Sequence, residues 1–178
     1  ILVDVEVPDM ARLNAMAGIV LTSQAAALHR EWIESRPEDY ADQVRARIEP
    51  GFTHSAVTYI DAIRFQKALT EQYLNTCFKD CDVIHIPVFT VQTPTIASTT
   101  QGSTQNILQS IAHLTYANRA INYLGLPAMS VPAGFSSSGM PLAFQLVAKH
   151  FKEGLLLNVA DAYQKDTNWH RQQPNASI

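Results

Sequence analysis

The sequence predicts an α/β fold in which a sheet is covered by helices on both faces. Two short apolar runs, Ala128–Val131 and Leu142–Ala148, flank a stretch of turn composition, Phe135–Gly139. We interpret the two runs as strands joined by a loop. Strands that are continuously apolar are buried on both sides, so helices are expected above and below them. Strand and helix patterns alternate along the chain, which is typical of the α/β class.

The first half of the chain is mainly helical in pattern. Val3–Val7 alternates valine with acidic residues and predicts an opening strand. Asp9 is a good N-cap for the helix that follows, and Gly18 inside that helix indicates close packing. Pro37 and Pro50 separate the helical patterns. The predicted helices are Met10–Glu34, Tyr40–Ile48 and Ser55–Phe78.

The second half adds one further strand and a long loop. Asp82–Pro87 predicts a buried strand, and Val88–Thr104 after it is rich in Thr, Pro and Ser. Loops that leave buried strands commonly line binding sites, so this loop is a candidate pocket wall. The tail, Trp169–Pro174, is expected to be exposed. The remaining predicted helices are Gln105–Asn118 and Leu155–Thr167, and no linker divides residues 1–178, so one domain is expected.

The composition narrows the functional class. The 178 residues are 47% apolar and 16% charged, whereas about 25% charge is usual for a soluble domain. We therefore expect part of the surface to be buried against other protein. The net charge of −3 does not favour a nucleic acid partner, and no apolar run predicts a membrane span. The start at Ile1, without Met or a basic leader, predicts a segment of a longer protein without a signal peptide.

No metal or cofactor motif is present in the sequence. Cys77 and Cys81 lack a second ligand pair, so we interpret them as reduced structural thiols of a cytoplasmic protein. The six histidines are scattered without ligand spacing, and there is no glycine-rich phosphate loop. We expect neither a metal nor a cofactor.

The residues also show no assembled nucleophile and base. Ser130 lacks the G-x-S-x-G elbow and is better interpreted as a small residue in a buried strand. Gln145 interrupts an apolar strand, so it either hydrogen-bonds a neighbouring loop or supports a catalytic loop supplied from elsewhere. Arg119 either is structural or holds an anionic group. His29 is either a core histidine or a pocket residue, and Asn118 is expected to cap backbone groups at a helix–turn junction.

Several segments together resemble the amidase signature family. They include Asn122-Tyr-Leu-Gly-Leu-Pro-Ala-Met-Ser-Val-Pro-Ala-Gly-Phe135 and Gly139-Met-Pro-Leu-Ala-Phe-Gln-Leu-Val147. Phe151–Tyr163 is similar to the last long helix of the family, and Asp82–Pro87 with Thr93-Pro94 is similar to its strand and loop before the pocket. The resemblance covers nearly all 178 residues. It implies the C-terminal portion of the amidase signature fold, a mixed central sheet covered by helices on both faces.

The family's chemistry implies that this chain carries scaffold and pocket wall. Such amidases cleave linear amides with a Ser-Ser-Lys set in a Gly/Ser-rich N-terminal half, and none of those motifs occurs here. No catalytic residue is therefore assigned, and the chain alone is expected to be inactive. The expected partners are a small amide substrate, the N-terminal half of the same protein and, as in many relatives, a second copy in a homodimer. The candidate substrate-binding residues are His29, Thr93, Thr115, Asn118, Arg119 and Gln145.

Two rival functions stay open beside a broad amidase. One is the glutaminase component of glutamyl-tRNA amidotransferase, a branch of the same family. That component typically has an acidic residue for the glutamine amino group where this chain has Thr115, which argues against glutamine as substrate. The other rival is a non-catalytic scaffold or binding subunit.

Overall fold

A computed structural model of the chain describes residues 1–174. Within these residues, seven α-helices surround one three-stranded antiparallel sheet. The helices are α1 (Met10–Ser35), α2 (Asp42–Ile48), α3 (Ala56–Cys77), α4 (Ile96–Thr100), α5 (Thr104–Leu114), α6 (Tyr116–Leu124) and α7 (Glu153–Asp166). The strands are β1 (Val83–Pro87), β2 (Ala128–Phe135) and β3 (Pro141–Ala148). The predicted α/β class is confirmed.

The sheet has β3 at its centre, in the order β1-β3-β2. Ile84 of β1 lies opposite Val147, and Ser130 of β2 lies opposite Gln145. A β-bulge interrupts the β2–β3 pairing at Pro132, a residue that has no N–H to donate to the ladder. Every strand pairing within residues 1–174 is antiparallel, so these residues contain none of the parallel pairs of the mixed sheet that the resemblance implies.

Helices cover both faces of the sheet, as predicted. On one face, α1, α3 and α6 form the main core around Leu13, Tyr73, Ile121 and Val147, all of which are at most 2% exposed. On the other face, α7 packs on the sheet around Leu156. Because hydrophobic side chains are buried on both sides of β3, the central strand is the most deeply buried of the three.

The edge strands are less buried than the sequence predicts. In β1 only Ile84 is buried, and in β2 the predicted buried residue Ser130 is exposed. An edge strand has a neighbour on one side only, so its side chains receive less cover than those of a central strand. Continuous apolarity in these two segments therefore does not correspond to full burial in this chain.

The N-terminal elements largely follow their capping signals. The Asp9 carboxylate accepts hydrogen bonds from the backbone N–H groups of Ala11 and Arg12, and Ser55 caps α3 through Thr58 N–H. The predicted opening strand Val3–Val7 is wrong, because residues 1–9 contain no regular element. A strand needs a hydrogen-bonding partner, and none of the described strands pairs with this segment.

Two further expectations need correction. The helix predicted from Gln105 to Asn118 is two helices, α5 and α6, with the break at Thr115. The tail expected to be exposed forms a short 3₁₀-helix, Trp169–Arg171, whose Trp169 ring packs over Gly134 of β2 and is half-buried. Gly134 has φ 124°, so its conformation also favours glycine.

Candidate functional site

Two arginines from distant parts of the chain line one cavity. The cavity has a volume of about 180 Å³ and lies between α1, the end of α2 and the helix pair α5–α6. Arg47 comes from α2 and Arg119 from α6, while Gly18 and Thr22 of α1 form the opposite wall. The remaining lining residues are apolar, and none of the lining residues is acidic: Leu21, Pro50, Leu108, Ile111 and Ala112.

The positive charge of this cavity is not neutralised within residues 1–174. Arg45, two residues before Arg47, is paired with Asp42 at 3.7 Å and with Glu49 at 3.0 Å. Neither Arg47 nor Arg119 forms an ion pair with a carboxylate in the described part of the chain. Burial lowers the pKa of Arg119 from its usual value, and the charge of Arg47 lowers it further. Two guanidinium groups facing one cavity form a site for an anionic group.

Thr115 orients Arg119. Its hydroxyl donates to the Ile111 carbonyl at 3.1 Å and accepts a hydrogen bond from Arg119 Nη2 at 2.6 Å. The break between α5 and α6 at Thr115 therefore places the hydroxyl where it holds the guanidinium four residues later. The predicted site residues Thr115 and Arg119 lie together, and they act as a pair.

Asn118 lies beside this pair and has a supporting contact. Its Nδ2 donates to the carbonyl of Val88 at 3.3 Å, which ties α6 to the loop after β1. The expected capping of backbone at the helix–turn junction is instead this contact between two distant segments. The turn itself is closed by Gly125, at φ 68°, whose left-handed conformation ends α6.

Two predicted site residues lie elsewhere. Thr93 is exposed and lines a separate cavity of about 180 Å³ between the loop after β1 and the turn Ser136–Ser138. His29 is half-buried in an aromatic cluster, where its Nδ1 lies 2.8 Å from the Tyr40 hydroxyl and its ring contacts Trp32 edge-on. Neither residue lines the arginine cavity.

Gln145 is buried, at 7% exposure, but without the expected hydrogen bonds. Its Nε2 has no acceptor among the described residues, and the Gln145 side chain lines none of the described cavities. The expectation that this amide bonds a neighbouring loop is therefore wrong for residues 1–174. An unpaired buried donor costs about 1–3 kcal/mol, so Gln145 destabilises β3 in this setting.

The sequence analysis did not single out Arg47 as a site residue. On α2 the acidic residues Asp42 and Glu49 lie at helical spacing from Arg45, not from Arg47. An arginine without a carboxylate at i±3 or i±4 was the available signal. Its pairing with Arg119 depends on packing between segments some seventy residues apart in the sequence, which periodicity does not reveal.

Other kinds of site are absent from the described residues. No group of three or more His, Cys, Asp or Glu side chains within residues 1–174 is arranged to hold a metal ion. None of the helices there is both long and apolar enough to cross a membrane. Cys77 and Cys81 are free thiols, and burial raises the pKa of Cys77 to about 11, so this thiol is a poor nucleophile at neutral pH.

Comparison with known proteins adds a family to this geometry. The sequence model of the family described as Amidase matches residues 1–157. The chain is 32% identical over 171 residues to the GatA-type component of the glutamyl-tRNA(Gln) amidotransferase of Bordetella petrii, covering 93% of this chain and 32% of that protein. The corresponding protein of Nitrosomonas europaea is 32% identical over 170 residues, covering 93% and 34%. The chain thus spans about a third of the length of these curated relatives.

Solved structures agree at the level of the fold. A crystal structure of an amidase superposes with a TM-score of 0.75 at 20% identity, covering 91% of this chain and 37% of that one. A 6-aminohexanoate cyclic dimer hydrolase complexed with substrate gives a TM-score of 0.69 at 23% identity, covering 94% and 37%. With the match of the family sequence over residues 1–157, these findings show that the chain belongs to the amidase family.

Proposed function

We propose that this chain is the C-terminal part of a single amidase domain, and that the complete protein hydrolyses linear amides. Support comes from the family match and from the site itself, which offers binding groups without a nucleophile. No serine within residues 1–174 is hydrogen-bonded to a histidine or lysine. In this proposal the polypeptide outside these 178 residues supplies the Ser-Ser-Lys set that the family resemblance implies.

The reaction needs two steps of acyl transfer. The serine oxygen attacks the amide carbonyl carbon, and the nitrogen leaves as ammonia or an amine after taking a proton. Water then attacks the acyl-serine ester and releases a carboxylate and the free serine. This chain contributes by holding the rest of the substrate in place, which converts binding energy into orientation at the reacting carbon.

The uncompensated arginine pair indicates the substrate class. A carboxylate on the substrate would lie between Arg47 and Arg119 and receive charge-assisted hydrogen bonds from both. The apolar wall from Leu21, Leu108 and Ile111 suits a short hydrocarbon spacer between the carboxylate and the amide. We therefore propose ω-amides of short dicarboxylic acids as the substrate class.

The second candidate is hydrolysis of glutamine for transfer of its ammonia, which the names of the curated relatives suggest. Glutamine would also present a carboxylate to the arginines. Its α-ammonium group, however, would meet two guanidinium groups and the neutral Thr115, and no acidic side chain lines the cavity. A desolvated ammonium without a counter-charge is unfavourable, so the geometry favours a substrate that lacks the amino group.

Three amides separate these possibilities in the complete protein. Glutaramate carries the carboxylate without the ammonium, glutamine carries both groups, and butanamide carries neither. We expect kcat/KM to be highest for glutaramate. A preference for glutamine would support the amidotransferase function instead, and a complete lack of hydrolysis would support a non-catalytic scaffold.

Single substitutions test the role of the arginine pair. Arg47→Met and Arg119→Met should each raise the KM for glutaramate by roughly 10- to 100-fold, since a hydrogen bond to a charged group contributes about 1.5–3 kcal/mol. The KM for butanamide should change little. Arg45→Met is the matched control, because Arg45 lies on the same helix but is already paired with Asp42 and Glu49. Equal effects of all three substitutions on both substrates would contradict the proposal.

The setting of the enzyme follows from its thiols. Cys77 and Cys81 are both free, and free thiols persist in reducing compartments. We place the complete enzyme in the cytoplasm on this ground.

A further inference from the structure

His54 lies directly behind the wall of the arginine cavity. Its Nε2 is 3.0 Å from the Oγ1 atom of Thr22, and Thr22 lines the cavity together with Arg47 and Arg119. His54 itself is half-buried and does not line the cavity. The contact thus joins the segment that follows α2 to the middle of α1.

The direction of this hydrogen bond follows from the second contact of Thr22. The Thr22 hydroxyl donates its single proton to the Gly18 carbonyl at 2.9 Å. Its oxygen is therefore an acceptor toward His54, and Nε2 of His54 carries the hydrogen. The pair superficially resembles a hydroxyl nucleophile beside an imidazole base, but the imidazole cannot take a proton that is directed at Gly18. The arrangement is a mechanical link.

A second contact holds the same segment to the same helix. Residues Glu49–Phe52 form a 3₁₀-helix immediately after α2, and the α-carbon of Gly51 is pressed against the backbone of Thr22. Arg47 is four residues before Gly51 and seven before His54. The position of its backbone is thus fixed from the C-terminal side by two anchors that share one residue of α1.

Arg119 is held to α1 as well. Asn14 of α1 donates from Nδ2 to the carbonyl of Tyr116 at 3.0 Å, which holds the first turn of α6 against α1. The helix α1 is therefore the common support of both arginines, with Asn14 on the side of Arg119 and Thr22 on the side of Arg47. Loss of either link would change the separation of the two guanidinium groups.

We propose that His54 is a positioning residue for anion binding: its hydrogen bond to Thr22 fixes Arg47 at the distance from Arg119 that lets both bind one carboxylate. The proposal rests on the proposed function, because it assigns His54 to the same anion subsite. Both the neutral Nε2–H tautomer and the imidazolium can donate this bond, so the link does not depend on protonation of the ring.

The test compares two substrates in the complete protein. His54→Ala should raise the KM for glutaramate by about tenfold, which corresponds to about 1.4 kcal/mol, and leave kcat and the KM for butanamide nearly unchanged. His54→Gln retains a side-chain N–H donor and should restore most of the glutaramate affinity. His170→Ala, at an exposed histidine far along the chain, is the matched control and should change neither KM.

A double-mutant cycle keeps the proposal open to refutation. Thr22→Val removes the acceptor at nearly constant volume and should reproduce the His54→Ala effect, and the double variant should be no worse than either single variant. Additive effects would show that the two residues act separately and would overturn the proposal. An equal rise of both KM values in His54→Ala would indicate general loss of structure and would also overturn it. If the unmodified protein does not prefer glutaramate to butanamide, the proposed function fails first, and this outcome is visible before any His54 variant is made.

Discussion

At the scale of single residues, the closest approach in the molecule sets a strict demand for glycine. A Cβ atom at position 51 would lie 2.0 Å from the Thr22 carbonyl oxygen and 2.7 Å from the Ala26 Cβ. The oxygen belongs to the backbone of a long helix, which cannot move aside without breaking its own hydrogen bonds. Position 51 therefore fixes how closely the segment after α2 approaches α1.

Gly51→Ala should lower the free energy of unfolding by about 3 kcal/mol, the upper end of the usual cost of overpacking. Gly18→Ala is the matched control on the same cavity wall. A Cβ at Gly18 would have no neighbour within 4 Å, contrary to the close packing expected from the sequence. Because alanine favours a helix interior, Gly18→Ala should raise the free energy of unfolding by about 0.5–1 kcal/mol. Urea unfolding of both variants, followed by circular dichroism, checks the opposite signs; equal effects would contradict this account of Gly51.

At the scale of the elements, α3 and α6 are joined by buried polar contacts as well as by apolar packing. The Tyr123 hydroxyl donates to the Ala62 carbonyl, and Gln66 Nε2 donates to the Tyr123 carbonyl. Burial raises the pKa of Tyr123, which keeps the hydroxyl protonated as a donor. Since α6 also carries Arg119, this contact links the long helix α3 to the candidate site.

Tyr123→Phe should lower the free energy of unfolding by about 1 kcal/mol, the usual net contribution of one buried hydrogen bond. The cost stays moderate because the Ala62 carbonyl keeps its position in the hydrogen-bond ladder of α3. Tyr59→Phe is the control: its hydroxyl accepts from Gln24 at 3.1 Å in an exposed contact, and its loss should cost less than about 0.5 kcal/mol. Thermal denaturation of the two variants side by side measures the difference, and a larger effect at Tyr59 would refute this ranking.

The sequence predicted elements well where the signal for them is local. The helix starts at Asp9 and Ser55 and the stop at Gly125 are set by capping groups within a few residues, and the structure confirms them. The opening strand Val3–Val7 failed because strand formation needs a partner from elsewhere. The helix break at Thr115 escaped detection because its flanks both favour helix and no Gly or Pro marks it.

The candidate site was predictable only in part. Arg119 and Thr115 lie within four residues of each other, so their shared role follows from one helical segment. Arg47 and Thr22 join them through tertiary packing, which a sequence pattern does not encode. Gln145 shows the reverse error: its burial was predictable from the apolar pattern of β3, whereas the lack of an acceptor for its Nε2 among residues 1–174 was not.

At the scale of the whole molecule, the chain leaves apolar helix surface uncovered. Val57, Ile60 and Ile63 of α3 recur at a spacing of three residues and are 68%, 58% and 40% exposed. A continuous apolar stripe on a helix normally packs against other protein. Since the chain spans about a third of the length of its curated relatives, we expect further polypeptide of an amidase to provide that cover.

The 178-residue chain produced alone should therefore bind a hydrophobic dye such as ANS and show no hydrolysis of glutaramate or butanamide. Dye binding is expected because the α3 stripe is exposed, and inactivity because no serine within residues 1–174 is hydrogen-bonded to a histidine or lysine. The complete protein is the matched control: it should bind less dye per mole and should be labelled at a serine by a fluorophosphonate. Labelling of a serine within the isolated chain, together with amide hydrolysis, would place the nucleophile in these 178 residues and would contradict the proposed division of the active site.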